Sequence, residues 1–354
     1  MPPEVDRELP ASYACSRFVP HPWLRGGHVQ TLAAFILPRR IHLVPSEDRL
    51  IEVECGIPVL CKCYWQSDRK SALTIIAVHG LEGSTESQYM LGIARNGLAA
   101  GMNVVLMNQR NCGGMDHRAP TLYNSSRSAD VAAVTREVVD RDGVSSFFLI
   151  GFSMGGNLVL KLAGEWGEHG PPQFKGVAGV CPSIDLAASA DSLHEPANRI
   201  YEYYFLWQLF RRFRRKASLF PADFDAARLR GVQTLRQFDD RVTAYYCGFT
   251  GADDYYERAA AANGIGRIAV PGLIIHAAND PFIRLTPQTR SRISANPNIT
   301  YIEAADGGHC AFLAARRDGD DGRWAEREVV EFAKTVSVTG ESPKPLAAGD
   351  ETRR

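Results

Sequence analysis

The sequence predicts an α/β fold, a mostly parallel central sheet flanked by helices, with an inserted helical cap. Three observations carry this. Apolar runs of strand length at 73–78, 103–107, 174–181 and 272–277 alternate with helix-period segments at 88–100, 128–141 and 286–294. The run at 73–78 is continuous rather than alternating, the mark of a strand buried on both faces. The alternation breaks at 184–265, a charged and aromatic span that holds Tyr201, Tyr203, Tyr204, Phe205, Trp207, Phe210 and Phe213 within one stretch.

Taken in order, residues 1–40 are expected to form an N-terminal arm. It should be irregular to about residue 20, then turn through the aromatic and glycine-rich His21–Gly27 into a short helix. Trp23 is expected to pack there, and the glycines to bend the chain. Residues 41–44 and 49–65 read as strands of an antiparallel start, with Arg49 to Glu54 alternating in character. The sheet and its helices are expected to occupy 41–183 and 266–337, with the cap at 184–265 between them. A strand at 299–303 and a helix at 323–336 close the core. Residues 338–354 are rich in Ser, Pro, Glu and Gly and read as a disordered tail.

Composition excludes several classes. Lys+Arg is 40 and Asp+Glu is 40, so the formal net charge is zero, and bulk attraction to nucleic acid or to acidic membranes is not expected. The eight cysteines include no C-x-x-C pair, so neither a metal nor another cofactor is expected. Scattered reduced thiols and an N-terminus without a basic start and apolar core point to the cytoplasm. No apolar stretch approaches the ~18 residues that a membrane span needs.

The chemistry centres on residues 147–166. Phe147 to Ile150 form an apolar strand, Gly151-Phe152-Ser153-Met154-Gly155 makes a tight turn, and Leu158, Leu162 and Trp166 follow at helical spacing. Strand, sharp turn and helix around G-x-S-x-G present the serine hydroxyl at the turn's tip, with glycines where the strand and helix cross. The helix N-terminus aims N–H groups at negative charge forming beside the serine.

A serine hydroxyl needs a base, and the base needs an orienting acid. In this topology they follow the serine in the order acid, then histidine, at the carboxyl ends of later strands. Asp280, in Asn279-Asp280-Pro281 after the strand at 272–277, is the candidate acid. His309, in Gly307-Gly308-His309 after the strand at 299–303, is the candidate base. Asp253, Asp254 and Asp306 are weaker acids by position. His79 precedes the serine and belongs to a different part of the site, His276 lies within a strand, and His21, His28, His42, His117, His169 and His194 are out of order or in surface-like segments. An oxyanion needs two N–H donors, expected from the backbone of Met154 and of Leu81 in the loop after the strand at 73–78.

Those segments resemble the α/β-hydrolase superfamily, and within it the YheT-like esterase branch, AB hydrolase family 4. The resemblance covers roughly residues 15–335. It rests on Trp23-Leu24-Arg25-Gly26-Gly27-His28-Val29-Gln30-Thr31, His79-Gly80-Leu81-Glu82-Gly83-Ser84, Arg110-Asn111-Cys112-Gly113-Gly114, Gly151 to Asn157, Asn279-Asp280-Pro281-Phe282 and Gly307-Gly308-His309. It implies an α/β-hydrolase fold, Ser153, Asp280 and His309 as nucleophile, acid and base, and a small acyl ester as substrate. The branch includes lipases acting on monoacylglycerols and phospholipids, and enzymes forming ethyl esters. Tyr245 and Ala259 depart from its cap pattern of proline and serine.

The expected activity is carboxylic ester hydrolysis, with acyl transfer to an alcohol, or a non-catalytic ligand-binding relative, as the alternatives. The basic run Arg211-Arg212-Phe213-Arg214-Arg215-Lys216 reads as a solvated helix end in preference to a membrane contact. The oligomeric state is left open.

Overall fold

The computed structural model describes residues 16–316 and 320–339. The tail expected to be disordered lies outside the described residues from 340 onward. The strands are β1 (Glu47–Glu54), β2 (Ile57–Tyr64), β3 (Thr74–Val78), β4 (Asn103–Met107), β5 (Phe147–Phe152), β6 (Phe174–Val180), β7 (Gly272–Ala277) and β8 (Ile299–Ala304). They form one sheet in the order β1-β2-β4-β3-β5-β6-β7-β8. β2 runs antiparallel to both β1 and β4, and every other pairing is parallel.

Residues 41–44, expected as a strand, are irregular. Pro38 and Pro45 bracket them, and proline cannot donate to a ladder. The antiparallel start is instead a hairpin of β1 and β2, turned at Cys55–Gly56, with Gly56 at φ 73°.

Helices α1 (Gly27–Ile36), α2 (Gln88–Ala99), α3 (Ser128–Asp142), α4 (Met154–Trp166), α5 (Leu186–Leu193), α6 (Arg199–Leu219), α7 (Leu235–Phe238), α8 (Tyr245–Cys247), α9 (Ala252–Ala259), α10 (Pro287–Ala295) and α11 (Trp324–Thr339) accompany the sheet. Strand side chains alternate faces. Ile76, Val78, Leu149, Val177 and Ile274 pack towards α3, α4 and α10. Ile75, Ala77, Phe148, Ile150, Leu273 and Ile275 pack towards α2 and α11. Both faces are covered, which is why these strands carry no polar alternation.

Between β6 and β7 the chain leaves the sheet and builds the helical cap. Its apolar centre joins Leu186, Leu209, Phe213, Phe224, Phe238 and Tyr255 with Phe282 from the segment after β7. On α6, buried Tyr201, Leu206, Leu209, Phe213 and Ala217 recur every three to five residues, the inward stripe of a helix lying on a core.

Cap and sheet are joined through Asn157 on α4. Its buried amide donates to Ser125 O at 3.1 Å and Ala259 O at 2.9 Å, and accepts from Ala261 N–H at 2.8 Å. Asn157→Ala would strand these buried groups, each a loss of about 1–3 kcal/mol. We expect a fall of about 2 kcal/mol or more in unfolding free energy by urea titration, and an unchanged midpoint would refute the role.

Candidate active site

The β5–α4 turn places Ser153 at φ 52° and ψ −118°, a strained conformation for a residue with a side chain. The crossing explains the glycines. A Cβ on Gly151 would lie 2.2 Å from Gly155 O, and one on Gly155 would lie 2.2 Å from Val78 O.

The three candidates converge. His309 Nε2 is 3.0 Å from Ser153 Oγ, and His309 Nδ1 is 2.8 Å from Asp280 Oδ2. The other Asp280 oxygen accepts N–H from Phe282 at 3.1 Å and Ile283 at 2.9 Å, so the loop after β7 fixes the carboxylate. Burial pushes the Asp280 carboxyl up, but the His309 ring and the backbone donor of Ile283 outweigh it and hold the group below the usual aspartate value. Burial likewise works against a charged His309, while the Cys310 sulfur and the Asp280 carboxylate raise it above the ordinary histidine value.

The rivals are placed elsewhere. Asp253 pairs with Arg236 and Asp254 with Arg258 on the cap surface. Asp306 accepts from Gly26 N–H at 2.9 Å and Asn279 Nδ2 at 2.8 Å, bracing loops without touching His309. His79 is buried, accepts the Gln109 N–H at 3.1 Å and donates to Gly80 O at 2.8 Å; burial pushes it down to about 4, so it stays neutral.

The two backbone donors expected at the oxyanion position are available. Among the described residues, no hydrogen bond uses the N–H of Leu81 or of Met154. The loop carrying Leu81 hugs the serine: a Cβ on Gly80 would sit 3.1 Å from Ser153 Cβ. Glu82, next along at φ 55°, fastens that loop to the cap. Its carboxylate accepts Arg212 Nε at 2.9 Å and Tyr123 O–H at 2.6 Å.

Sequence reasoning missed several neighbours. The N-terminal arm is a brace for the base. Thr31 Oγ1 accepts His309 N–H at 2.8 Å, and Gln30, fully buried, donates to Leu313 O at 3.1 Å and accepts Leu313 N–H at 2.7 Å. A Cβ on Gly27 would strike Asn279 O at 1.8 Å. The motif Gly27-His28-Val29-Gln30-Thr31 carried the signal, since two amide- or hydroxyl-bearing residues one turn past a glycine suit close docking. Trp23, expected to pack, is instead 87% exposed. The Leu24 N–H to His21 O turn at 3.0 Å occupies the backbone there and leaves the indole outside.

Cys310 and Cys181 were also missed. Cys310 Sγ is 3.9 Å from His309 Nε2, and Cys310 N–H donates to Cys181 Sγ at 3.4 Å. The donor atoms of Cys181, His309 and Cys310 lie within 4.8 Å of one another, as do those of Cys181, His276 and Asp280. An ion held by either set would engage His309 or Asp280 and so compete with their pairing.

A cavity of about 120 Å³ adjoins Ser153. Leu122, Leu186, Phe205, Leu209, Phe213 and Phe282 make its wall largely apolar. Asp239 also lines it; burial pushes its carboxyl up to about 6, with hydrogen bonds from Tyr256 and Thr243 acting the other way.

Comparison with known proteins agrees with this architecture. Residues 74–315 match the profile of the alpha/beta hydrolase fold. The chain is similar to the candidate esterase YheT of Escherichia coli, 29% identical over 304 residues that cover 84% of this chain and 87% of that one. It is also similar to Phospholipase ABHD3 of Mus musculus, 27% identical over 247 residues, 70% of this chain and 60% of that protein. Among solved structures, an esterase of Pyrobaculum calidifontis superposes with TM-score 0.55 at 18% identity, over 88% of this chain and 91% of that one. The serine turn on β5, the loops after β7 and β8 that face it and the profile match together assign the chain to the α/β-hydrolase fold family, in an esterase- and lipase-like part of it.

Proposed function

We propose that the chain is a carboxylic ester hydrolase working through an acyl-enzyme on Ser153, with His309 as base and Asp280 orienting it. The observation that carries this reading is the continuous relay from Asp280 Oδ2 through His309 to Ser153 Oγ, at 2.8 and 3.0 Å. The names of similar proteins, an esterase and a phospholipase, point the same way.

In the first half-reaction His309 Nε2 takes the serine proton as Oγ adds to the ester carbonyl carbon. The oxyanion forms between the N–H groups of Leu81 and Met154. Its collapse breaks the bond to the alkoxy oxygen, which leaves with the proton held by His309. In the second half, His309 takes a proton from water, the hydroxide adds to the acyl carbon, and Ser153 Oγ departs with that proton. Asp280 keeps Nδ1 protonated and balances the imidazolium in both halves. The apolar wall beside Ser153 suits an acyl chain.

Ser153→Ala should lower hydrolysis of a short p-nitrophenyl ester by roughly 10⁴- to 10⁶-fold with unchanged circular dichroism. Activity near the wild-type level would refute the assignment.

The base must be neutral to accept a proton. Because His309 is raised above its ordinary value, kcat/KM should increase with pH along a limb centred above the usual imidazole range near 6.5. Cys310→Ala removes one of the groups that raises it and should move the limb to lower pH. A limb at or below 6.5 in the wild type, or one that the variant leaves in place, would contradict this account.

A further inference from the structure

The basic run expected as a solvated helix end occupies the C-terminal part of α6, with Lys216 in its last turn, but it is not solvated throughout. Its cations divide between two faces. Arg212 and Lys216 turn inward: Arg212 meets Glu82, and Lys216 Nζ donates to Asn111 Oδ1 at 2.9 Å and Asp116 O at 2.7 Å. Arg211, Arg214 and Arg215 are exposed, with Arg215 touching Asp116 only at 4.0 Å. They prolong an outward stripe that begins with Ile200, Tyr203, Tyr204 and Trp207, all exposed, with Ile200 at 61% and Trp207 at 57%. The spacing is helical and opposite to the buried stripe, so α6 shows apolar side chains on both sides.

α1 lengthens this patch. Phe35 meets Tyr204 edge to face, with ring centroids 5.4 Å apart, and Ile36 beside it is 71% exposed. Leu32 and Val29 are exposed on the same helix. Large apolar groups gathered on one face, unlike single exposed ones, mark an interaction surface.

The charges say what it meets. α1 has no acidic residue, and the one acid of α6, Glu202, is fully buried, accepting from Leu235 N–H at 2.9 Å. The outward face of α6 is therefore aromatic along its first half and cationic along its second, on a chain whose net charge is zero. Arg211 sits over Trp207 at 4.9 Å and Arg214 over Phe210 at 5.6 Å. Tyrosine and tryptophan beside exposed arginines suit the boundary between acyl chains and anionic headgroups. The patch also adjoins the site. Tyr201 on α6 packs against Phe282 at 5.2 Å, and the Phe282 ring lies 4.4 Å from that of His309. Among the described residues no helix is long and apolar enough to cross a membrane, so contact along a face is the geometry this surface allows.

We propose that the outward face shared by α1 and α6 docks the chain on an anionic phospholipid bilayer. Phe35, Ile36, Ile200 and Trp207 enter the headgroup–acyl boundary, and Arg211, Arg214 and Arg215 meet lipid phosphates. The docking goes beyond ester hydrolysis and stands on residues outside the relay.

Sedimentation of the full chain with sucrose-loaded vesicles tests it, using phosphatidylcholine alone or mixed with phosphatidylserine, at about 0.05 M and about 0.5 M salt. Pelleting is expected with the mixed vesicles at low salt, weaker at high salt and weakest without phosphatidylserine. Arg211→Gln, Arg214→Gln and Arg215→Gln should each weaken it about fivefold. Ile36→Ser with Trp207→Ser should weaken it at least tenfold. These side chains lie outside the cavity, so hydrolysis of a soluble ester should be unchanged and reports folding. Ser153→Ala should pellet like wild type, which separates docking from catalysis. No pelleting of wild type on anionic vesicles at low salt overturns the proposal, as does pelleting that ignores these substitutions. A dimer that Trp207→Ser dissolves, without vesicle binding, overturns it in favour of a second copy as occupant.

Discussion

The arrangement depends on one steric constraint, the close crossing of backbones beneath Ser153. β5 enters the turn, α4 leaves it, and the carboxyl end of β3 passes close by, with distances that admit no side chain at Gly151 or Gly155. A positive φ at a serine costs on the order of 1–3 kcal/mol. Burial of β5 and α4 among the residues packed around them offsets that cost. The same crossing orients the first turn of α4, where the Met154 N–H is unclaimed by any acceptor among the described residues.

A second constraint is ionic. The loop carrying Leu81 is secured at Glu82, whose charge meets Arg212 of the cap, and Tyr123 shares that carboxylate. One helix therefore does two jobs. The inward cations of α6 hold the loop at the proposed oxyanion site and the chain near Asn111, while the outward cations are left for a different environment. The register of α6 about its axis sets both, because Arg211 and Arg212 are adjacent in sequence yet one is exposed and the other turns in to Glu82.

Much of this is legible in the residues. Strands buried on both faces announce themselves by apolar-rich runs without regular polar alternation, and β3 to β7 do so. The positions of Ser153, Asp280 and His309 follow from topology alone, because each ends a strand or follows one closely. What stays hidden depends on contacts distant in sequence. Gln30 and Thr31 look like ordinary helix residues until the loop after β8 folds over them. Cys181 and Cys310 fall near strand ends 129 positions apart, and only the sheet order brings them together. The irregular path at 41–44 escapes the pattern because four apolar or neutral residues resemble a strand when no partner can be named. The fate of Trp23 escapes it because size alone suggests burial, whereas the local turn decides where an indole points.

The arm also changes what counts as the smallest working unit of this chain. The segment recognised as a hydrolase begins at residue 74, and every side chain of the relay lies after it. Yet the loop bearing the imidazole is anchored by a helix 278 positions earlier, and Gly27 and Gly308 are packed so tightly that neither could carry a methyl group. A chain trimmed to the recognisable segment would retain all the reactive groups and lose the clamp that keeps two of them in register. Boundaries drawn by similarity and boundaries drawn by mechanics do not coincide in this molecule.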